Sequence, residues 1–364
     1  MSSRRSAGKA LAVIVAVAVV VILLLTPPVQ SILEDIVTSP FKPRYPEEAS
    51  FTLERTLTVD ASGGTVKSFT IDMPEPMNIV QNGNRMQTVN SVDYSAEVAR
   101  TSRYDHNWTV WSEDHSFSNK RTLTITYEIT SRTVIWDVDA STSGNVSDVP
   151  ATLRQQYLQD EWVMTPTHPD VASLSREIVG DEQNVYLVLR SIYDWMRDNI
   201  RYPTFSSSGS PQTALETMES KVGDCDDQSI LFCSLARAAG VPAWLQFGAL
   251  YVGIEDSWGG HAWLQAYVPL KNGGSENVVI DPVNGEFLVW RPNRLAEFTD
   301  DGNADHLVDY YFIYNASIVS GTESVLHDNY EALSYKESAN KVSQGSVFVL
   351  GVRPPGMCLA LSRT

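Results

Sequence analysis

Cys225, His261 and Asp281 stand in that order along the chain as a thiol, an imidazole and a carboxylate. Those three side-chain types can act as nucleophile, base and orienting group in acyl transfer. A thiol must ionise before it attacks a carbonyl. Cys225 follows Gly223-Asp224 and opens an apolar-periodic run through Ile230, Leu231 and Leu235. The spacing predicts a helix beginning at the cysteine, where unpaired N–H groups and the helix dipole stabilise a thiolate. Asp224, Asp226 and Asp227 oppose this by like-charge repulsion, so an imidazolium is needed nearby. Taken singly, a cysteine at a helix start is more often a small buried residue, and a lone His or Asp is commonplace.

The elements that must position these groups follow from the hydropathy period. Val185, Val188, Leu189, Ile192, Trp195, Met196 and Ile200 recur every three or four residues, predicting an amphipathic helix. A short helix is expected through Ala214 and Met218, and Gly240 can end the Cys225 helix. Three strands are predicted at 241–252, 261–269 and 277–281. His261 is expected at the start of the second, after the flexible Trp258-Gly259-Gly260, sharing a face with Trp263, Gln265 and Tyr267. Asp281 ends the third, so adjacent strand ends can bring the two into hydrogen-bond reach.

Four blocks, Gly223-Asp224-Cys225-Asp226-Asp227, Ala238-Ala239-Gly240-Val241-Pro242-Ala243, His261-Ala262-Trp263 and Ile280-Asp281-Pro282, together resemble the transglutaminase-like cysteine-enzyme core. The resemblance covers roughly residues 150 to 315, and Asn199-Ile200-Arg201-Tyr202 also fits it. It implies a papain-like fold, with the cysteine on a helix packed against an antiparallel sheet that carries His and Asp. It further implies a thioester acyl-enzyme on protein amide bonds, with peptidase, deamidase or transglutaminase outcomes. Some family members have lost activity, so a degenerate binding or scaffold module is the alternative reading, and a structural envelope protein is another. The backbone N–H of Cys225 is the expected oxyanion donor, with Tyr202 the candidate for a second. Cys233, eight residues on in the same helix, is about 12 Å away, too far for a disulfide.

Neither a cofactor nor a metal site is expected. No two of the three cysteines form a CxxC pair. Asp105, His106, Asp114 and His115 read as surface polar residues beside Trp108 and Trp111. The run Asp300-Asp301-Gly302-Asn303-Ala304-Asp305 reads as a solvated acidic turn, lacking the pattern of a calcium loop. A net charge of −17 repels phosphate backbones and argues against nucleic-acid binding.

Arg4, Arg5 and Lys9 precede an uninterrupted apolar run from Ala10 to Leu25. As a helix it would rise about 24 Å, against a hydrocarbon core of roughly 30 Å. Pro27-Pro28 stands where a signal peptidase would cut, which favours an uncleaved anchor over a removed signal. The flanking charge puts the N-terminus inside and the remainder outside as a single-pass ectodomain. Sequons at Asn107, Asn145 and Asn315 suit a glycoprotein, though each can arise by chance.

The expected organisation is α+β. It comprises a membrane helix over 1–26, a Pro-rich stalk over 27–48, a β-sandwich domain over 49–145, a transglutaminase-like domain over 150–330 and a tail over 331–364. The sandwich rests on period-two runs such as Phe51, Leu53, Leu57, Val59 and Leu123, Ile125, Tyr127, Ile129. A last strand is possible at Val347-Phe348-Val349-Leu350. The expected partners are a protein or peptide substrate and the membrane.

Overall fold

The computed structural model describes residues 43–81, 83–203, 210–311, 314–320 and 325–343. The expected anchor, most of the stalk, the strand at 347–350 and Cys358 lie outside these. Among the described residues no helix is long and apolar enough to cross a membrane.

Period-two sequence becomes strand almost throughout the first third of the chain. The strands are β1 (Glu48–Asp60), β2 (Thr65–Pro74), β3 (Ile79–Gln81), β4 (Asn84–Tyr94), β5 (Ala99–Arg103), β6 (His106–Glu113) and β7 (Arg121–Arg132). In β1 every second residue from Ala49 to Val59 is buried, and at one of these positions the buried residue is an arginine, Arg55. The helical part follows as α1 (Ala151–Tyr157), α2 (Pro169–Val179), α3 (Val185–Asn199), α4 (Ala214–Ser220) and α5 (Cys225–Ala238). Then come β8 (Ala243–Val252), β9 (Ser257–Pro269), β10 (Ser275–Asp281), β11 (Glu286–Phe287) and β12 (Arg294–Thr299). The described chain closes with α6 (Ala304–Tyr311), β13 (Tyr314–Ser320) and β14 (Val325–Glu337).

Three sheets organise these strands. The sheet that carries the site has the order β11-β10-β9-β8-β12, antiparallel throughout. Helix α5 packs on β8 and β9 and is flanked by α2, α3 and α4. It is buried from Cys225 through Arg237, as a helix enclosed on all sides must be. Its interior hydroxyls are satisfied within the helix: Ser229 and Ser234 donate to the carbonyls of Cys225 and Ile230, at 2.7 and 2.9 Å. Gly240, with φ +86°, stops the chain's helical course as expected. The other two sheets, β14-β1-β7-β4-β3 and β13-β2-β6-β5, share an apolar core that includes Leu53, Leu57, Phe69, Ile71, Trp111 and Leu123.

The C-terminal segment departs from the expected tail. β14 pairs with β1 along nearly its whole length, from Val325↔Asp60 to Glu337↔Ala49. A tail from 331 was expected because β14 alternates weakly, with several exposed polar residues on its outer side. An edge strand needs only one apolar face. The stalk likewise ends before 48, since the Glu47 N–H donates to the Asn340 carbonyl at 3.0 Å. Tyr45–Val342 fall within one compact unit. Ala249, Trp258 and Leu295 of the site sheet belong to the core of the first strands, and Met86 and Trp108 belong to the core around α5.

Two further expectations each fail at one residue, His106 and Asp300, for a common reason, partners distant in sequence. His106 is buried, not a surface group: its Nε2 accepts the Thr299 N–H at 3.1 Å and its Nδ1 meets the Tyr104 carbonyl. Asp300 is also buried, paired with Arg237 at 3.4 Å, while Arg237 binds Glu161 at 2.7 Å. Burial and the nearby Glu161 push the Asp300 carboxyl well above the ordinary range.

Candidate active site

Cys225 is the first residue of α5, and the turn before it is held by a side chain from inside the helix. Asp227 accepts the backbone N–H of Asp224 at 3.1 Å, that of Gln212 at 2.6 Å, and the Gln212 amide at 2.8 Å. Gly223 lies where no side chain fits, because a Cβ there would sit 2.7 Å from the Asp227 Cβ. This packing pins the backbone that leads into Cys225 by hydrogen bonds and contact.

The neighbouring aspartates do not carry three charges. Burial, a hydrogen bond with Asp226 and the surrounding negative groups push the Asp224 carboxyl up to about 11. Asp224 is therefore a neutral acid at pH 7 that shares its proton with Asp226. Asp226 in turn accepts the Asp227 N–H at 3.0 Å and the Tyr311 hydroxyl at 3.3 Å. The repulsion expected from three carboxylates is thereby reduced. Ligand atoms of Asp224, Cys225 and Asp226 lie within 4.8 Å of one another. The shared proton accounts for the closeness of the two carboxyls.

His261 lies inside β9, which runs unbroken through Trp258, Gly259 and Gly260, so the expected flexible entry is strand. Its imidazole Nε2 and Asp281 Oδ2 are 2.7 Å apart, and both side chains are wholly buried. Cys225 and His261 line one small cavity of ≈ 70 Å³. The thiol hydrogen-bonds the imidazole, which leaves Nε2 for Asp281. Burial alone would lower the basicity of His261. The charge and hydrogen bond of Asp281, with the thiol, outweigh it and raise the imidazole to about 10. Burial opposes the Asp281 charge, but His261, Arg294 and Asn284 hold the carboxyl well below the usual range. The structure thus brings Cys225, His261 and Asp281 together in one buried array.

Tyr202 is placed differently. It is half-buried against the apolar core and does not line the cavity, although its neighbour Arg201 accepts the Gly223 N–H at 3.1 Å.

Several groups at the site carry no local sequence signal. Asn284 donates to Asp281 Oδ2 at 2.8 Å, lies 3.1 Å from His261 Nε2, and its backbone N–H meets Asp281 Oδ1 at 3.1 Å. The turn residues Asp281-Pro282-Val283-Asn284-Gly285 are the one hint, since Asp commonly accepts from the backbone in such turns. The far wall of the cavity comes from remote segments: Arg55 on β1, Asp328 and Tyr330 on β14, and Tyr310 and Tyr311 on α6. Arg55 is bidentate to Asp328 at 2.9 and 2.6 Å and also reaches Glu297 at 3.2 Å. Gly248, Cα partner of His261, lets β12 approach closely, since a Cβ would sit 1.8 Å from the Leu295 carbonyl oxygen.

Residues 172–282 match the model of the Transglutaminase-like superfamily. No curated protein matches the sequence. Among solved structures the chain is similar to a candidate cysteine protease from Cytophaga hutchinsonii, with 16% identity and a TM-score of 0.57, over 84% of this chain and 96% of that one. It is also similar to the periplasmic domain of TgpA from Pseudomonas aeruginosa, with 13% identity and a TM-score of 0.33, over 66% of this chain and 88% of that one.

Proposed function

We propose, for a chain whose residues 172–282 carry a transglutaminase-like core, that it is a cysteine enzyme acting on protein or peptide amide bonds. The observation that carries this reading is the buried His261–Asp281 pair at 2.7 Å in the cavity that holds Cys225. A base held protonated by a buried carboxylate can keep the thiol beside it as thiolate.

The chemistry then runs in two halves. The Cys225 thiolate attacks the amide carbonyl carbon, and the oxyanion faces the Cys225 backbone N–H at the α5 N-terminus. His261 gives its proton to the leaving nitrogen, the C–N bond breaks, and a thioester remains. Water or an amine attacks the thioester, His261 takes its proton, and the thiolate leaves. Asp281 stays ionised throughout and stabilises the imidazolium.

The apolar run Ala10–Leu25 and the charges before it favour a membrane-anchored enzyme with its site outside the cytoplasm. N-terminal sequencing of membrane-derived protein tests this: a mature chain starting near residue 27 or later rejects the anchor.

The test of activity is mass spectrometry of a peptide mixture incubated with the full chain. New N-termini identify a peptidase, loss of ammonia a deamidase, and amine adducts a transglutaminase. A product pattern unchanged by Cys225→Ala, or no product and no thiol labelling at all, overturns the reading.

A further inference from the structure

Beneath the His261–Asp281 pair lies a cation that the reaction steps above do not use. Arg294, on β12, has a side chain with no exposed surface. Its Nη2 donates to Asp281 Oδ2 at 3.3 Å, the same oxygen that meets His261, and also to Glu286 on β11. Its Nε and Nη1 have no hydrogen-bond partner among the described residues. The guanidinium lies 4.9 Å from the Trp263 ring centre and 5.6 Å from that of Trp290. A buried arginine with two unpaired N–H groups is costly for stability alone. Two buried carboxylates, Asp281 and Glu286, are what it compensates.

We propose that Arg294 is a positioning residue whose charge, divided between Asp281 and Glu286, sets how strongly Asp281 holds the His261 imidazolium. The proposal deepens the enzyme reading and rests on it. Asp281 alone, buried against His261, would bind the imidazolium's proton so firmly that the base could not release it. A second cation on the same oxygen weakens that hold and keeps Asp281 ionised. Glu286 draws part of Arg294's charge away, so the two act on His261 in opposite directions.

Other charged and titratable groups surround the pair. From α5 these are Cys225 and the proton-sharing Asp224 and Asp226. From α3, Tyr193 and Arg197 approach the Gly285 turn, the Tyr193 hydroxyl to within 3.8 Å of a Cβ placed there. Arg291 pairs with Glu286 at 3.0 Å, and Tyr45 lies near both arginines and Glu286. Across the cavity, Arg55 is neutralised by Asp328 and Glu297, with Tyr330 against them. Arg294 is a permanent cation that hydrogen-bonds Asp281 directly.

The experiment is a pH titration of His261 by NMR in full-length protein labelled with nitrogen-15 histidine, the signal being assigned by its loss in His261→Gln. Arg294→Met should move the His261 midpoint upward by about one pH unit or more. Glu286→Gln should move it downward, because the whole guanidinium charge then falls on Asp281. A purely structural role predicts loss of folding or activity with no opposed shifts, and that result overturns the proposal. Should Arg294→Met fail to fold, Glu286→Gln alone still decides by its sign, and Arg294→Lys should restore a near-native midpoint by keeping the charge. A wild-type midpoint at the ordinary histidine value overturns the reading of the pair itself. A raised wild-type midpoint with variants that do not move overturns only the role of Arg294.

Discussion

Replacing Asp281 by Asn is the most informative single change, because it removes a charge and keeps the shape. In the native protein the imidazole is lifted from 6.5 to about 10, which corresponds to roughly 5 kcal/mol favouring the imidazolium. In Asp281→Asn burial and the like charge of Arg294 favour the neutral ring, and only the weaker contribution of Cys225 still opposes them. His261 should therefore titrate below 6.5 and be uncharged at pH 7. The thiol then loses its counter-ion. At pH 6 an ordinary thiol with a pKa of about 8.5 is only about 0.3% ionised, so Cys225 alkylation should fall on the order of 100-fold.

Stability follows the same linkage. The raised pKa of His261 contributes stability that is full below about 6.5 and is lost as pH rises through about 10. The lowered pKa of Asp281 contributes stability that is full above about 4 and is lost as pH falls toward its folded value. The gap between native protein and variant should therefore be widest near pH 5–6, about 3–5 kcal/mol for a broken buried pair, and should close toward pH 10. Urea unfolding at pH 5.5, 7.5 and 9.5, with iodoacetamide rates at each, measures both. A stability gap that does not change with pH, or an unchanged alkylation rate, refutes the reasoning.

The aspartates beside the thiol give a contrast. Asp224→Asn should change stability by less than about 1 kcal/mol and the Cys225 alkylation rate by no more than about twofold, since a neutral acid is being replaced. Asp227→Ala should cost about 2–4 kcal/mol in urea unfolding, because the half-buried N–H groups of Gln212 and Asp224 lose their acceptor. A large acceleration in Asp224→Asn contradicts the shared proton. Gly248→Ala should destabilise by more than about 4 kcal/mol or prevent folding, since the new Cβ meets the Leu295 backbone oxygen at 1.8 Å. A soluble variant of near-native stability contradicts the close approach of β8 and β12.

What could be read from the sequence was whatever depends on neighbours in the chain. The three-and-four spacing of Val185 to Ile200 gave the α3 span, and Gly240 marked the end of α5 because it supplies the positive φ that a helix exit uses. Cys225, His261 and Asp281 were legible together, because the four motif blocks that carry them resemble the transglutaminase-like core, while each residue alone is commonplace. Arg294, Glu286 and Asn284 were not, because nothing around them in the sequence names Asp281 as their partner. The same applies to Arg55, whose partners Asp328 and Glu297 lie more than 240 residues away. His106 and Asp300 looked like surface polar groups for that reason, yet each closes a contact between distant elements. The part of β14 from 331 onward reads as a tail in the sequence because a strand that packs with one face at a sheet edge leaves only a weak alternation.

The central claim is that His261 holds Cys225 as a thiolate. The measurement that tests it most directly is a pH series of iodoacetamide alkylation on the native protein and on His261→Ala, read by peptide mass at Cys225 and Cys233. Cys225 should react well below the pH of an ordinary thiol, about 8.5, while Cys233, whose thiol burial pushes far up, should stay unlabelled in the folded protein. His261→Ala should shift the Cys225 curve up to the ordinary thiol range or beyond. A native Cys225 that titrates like an ordinary thiol, or a curve that His261→Ala leaves in place, contradicts the account.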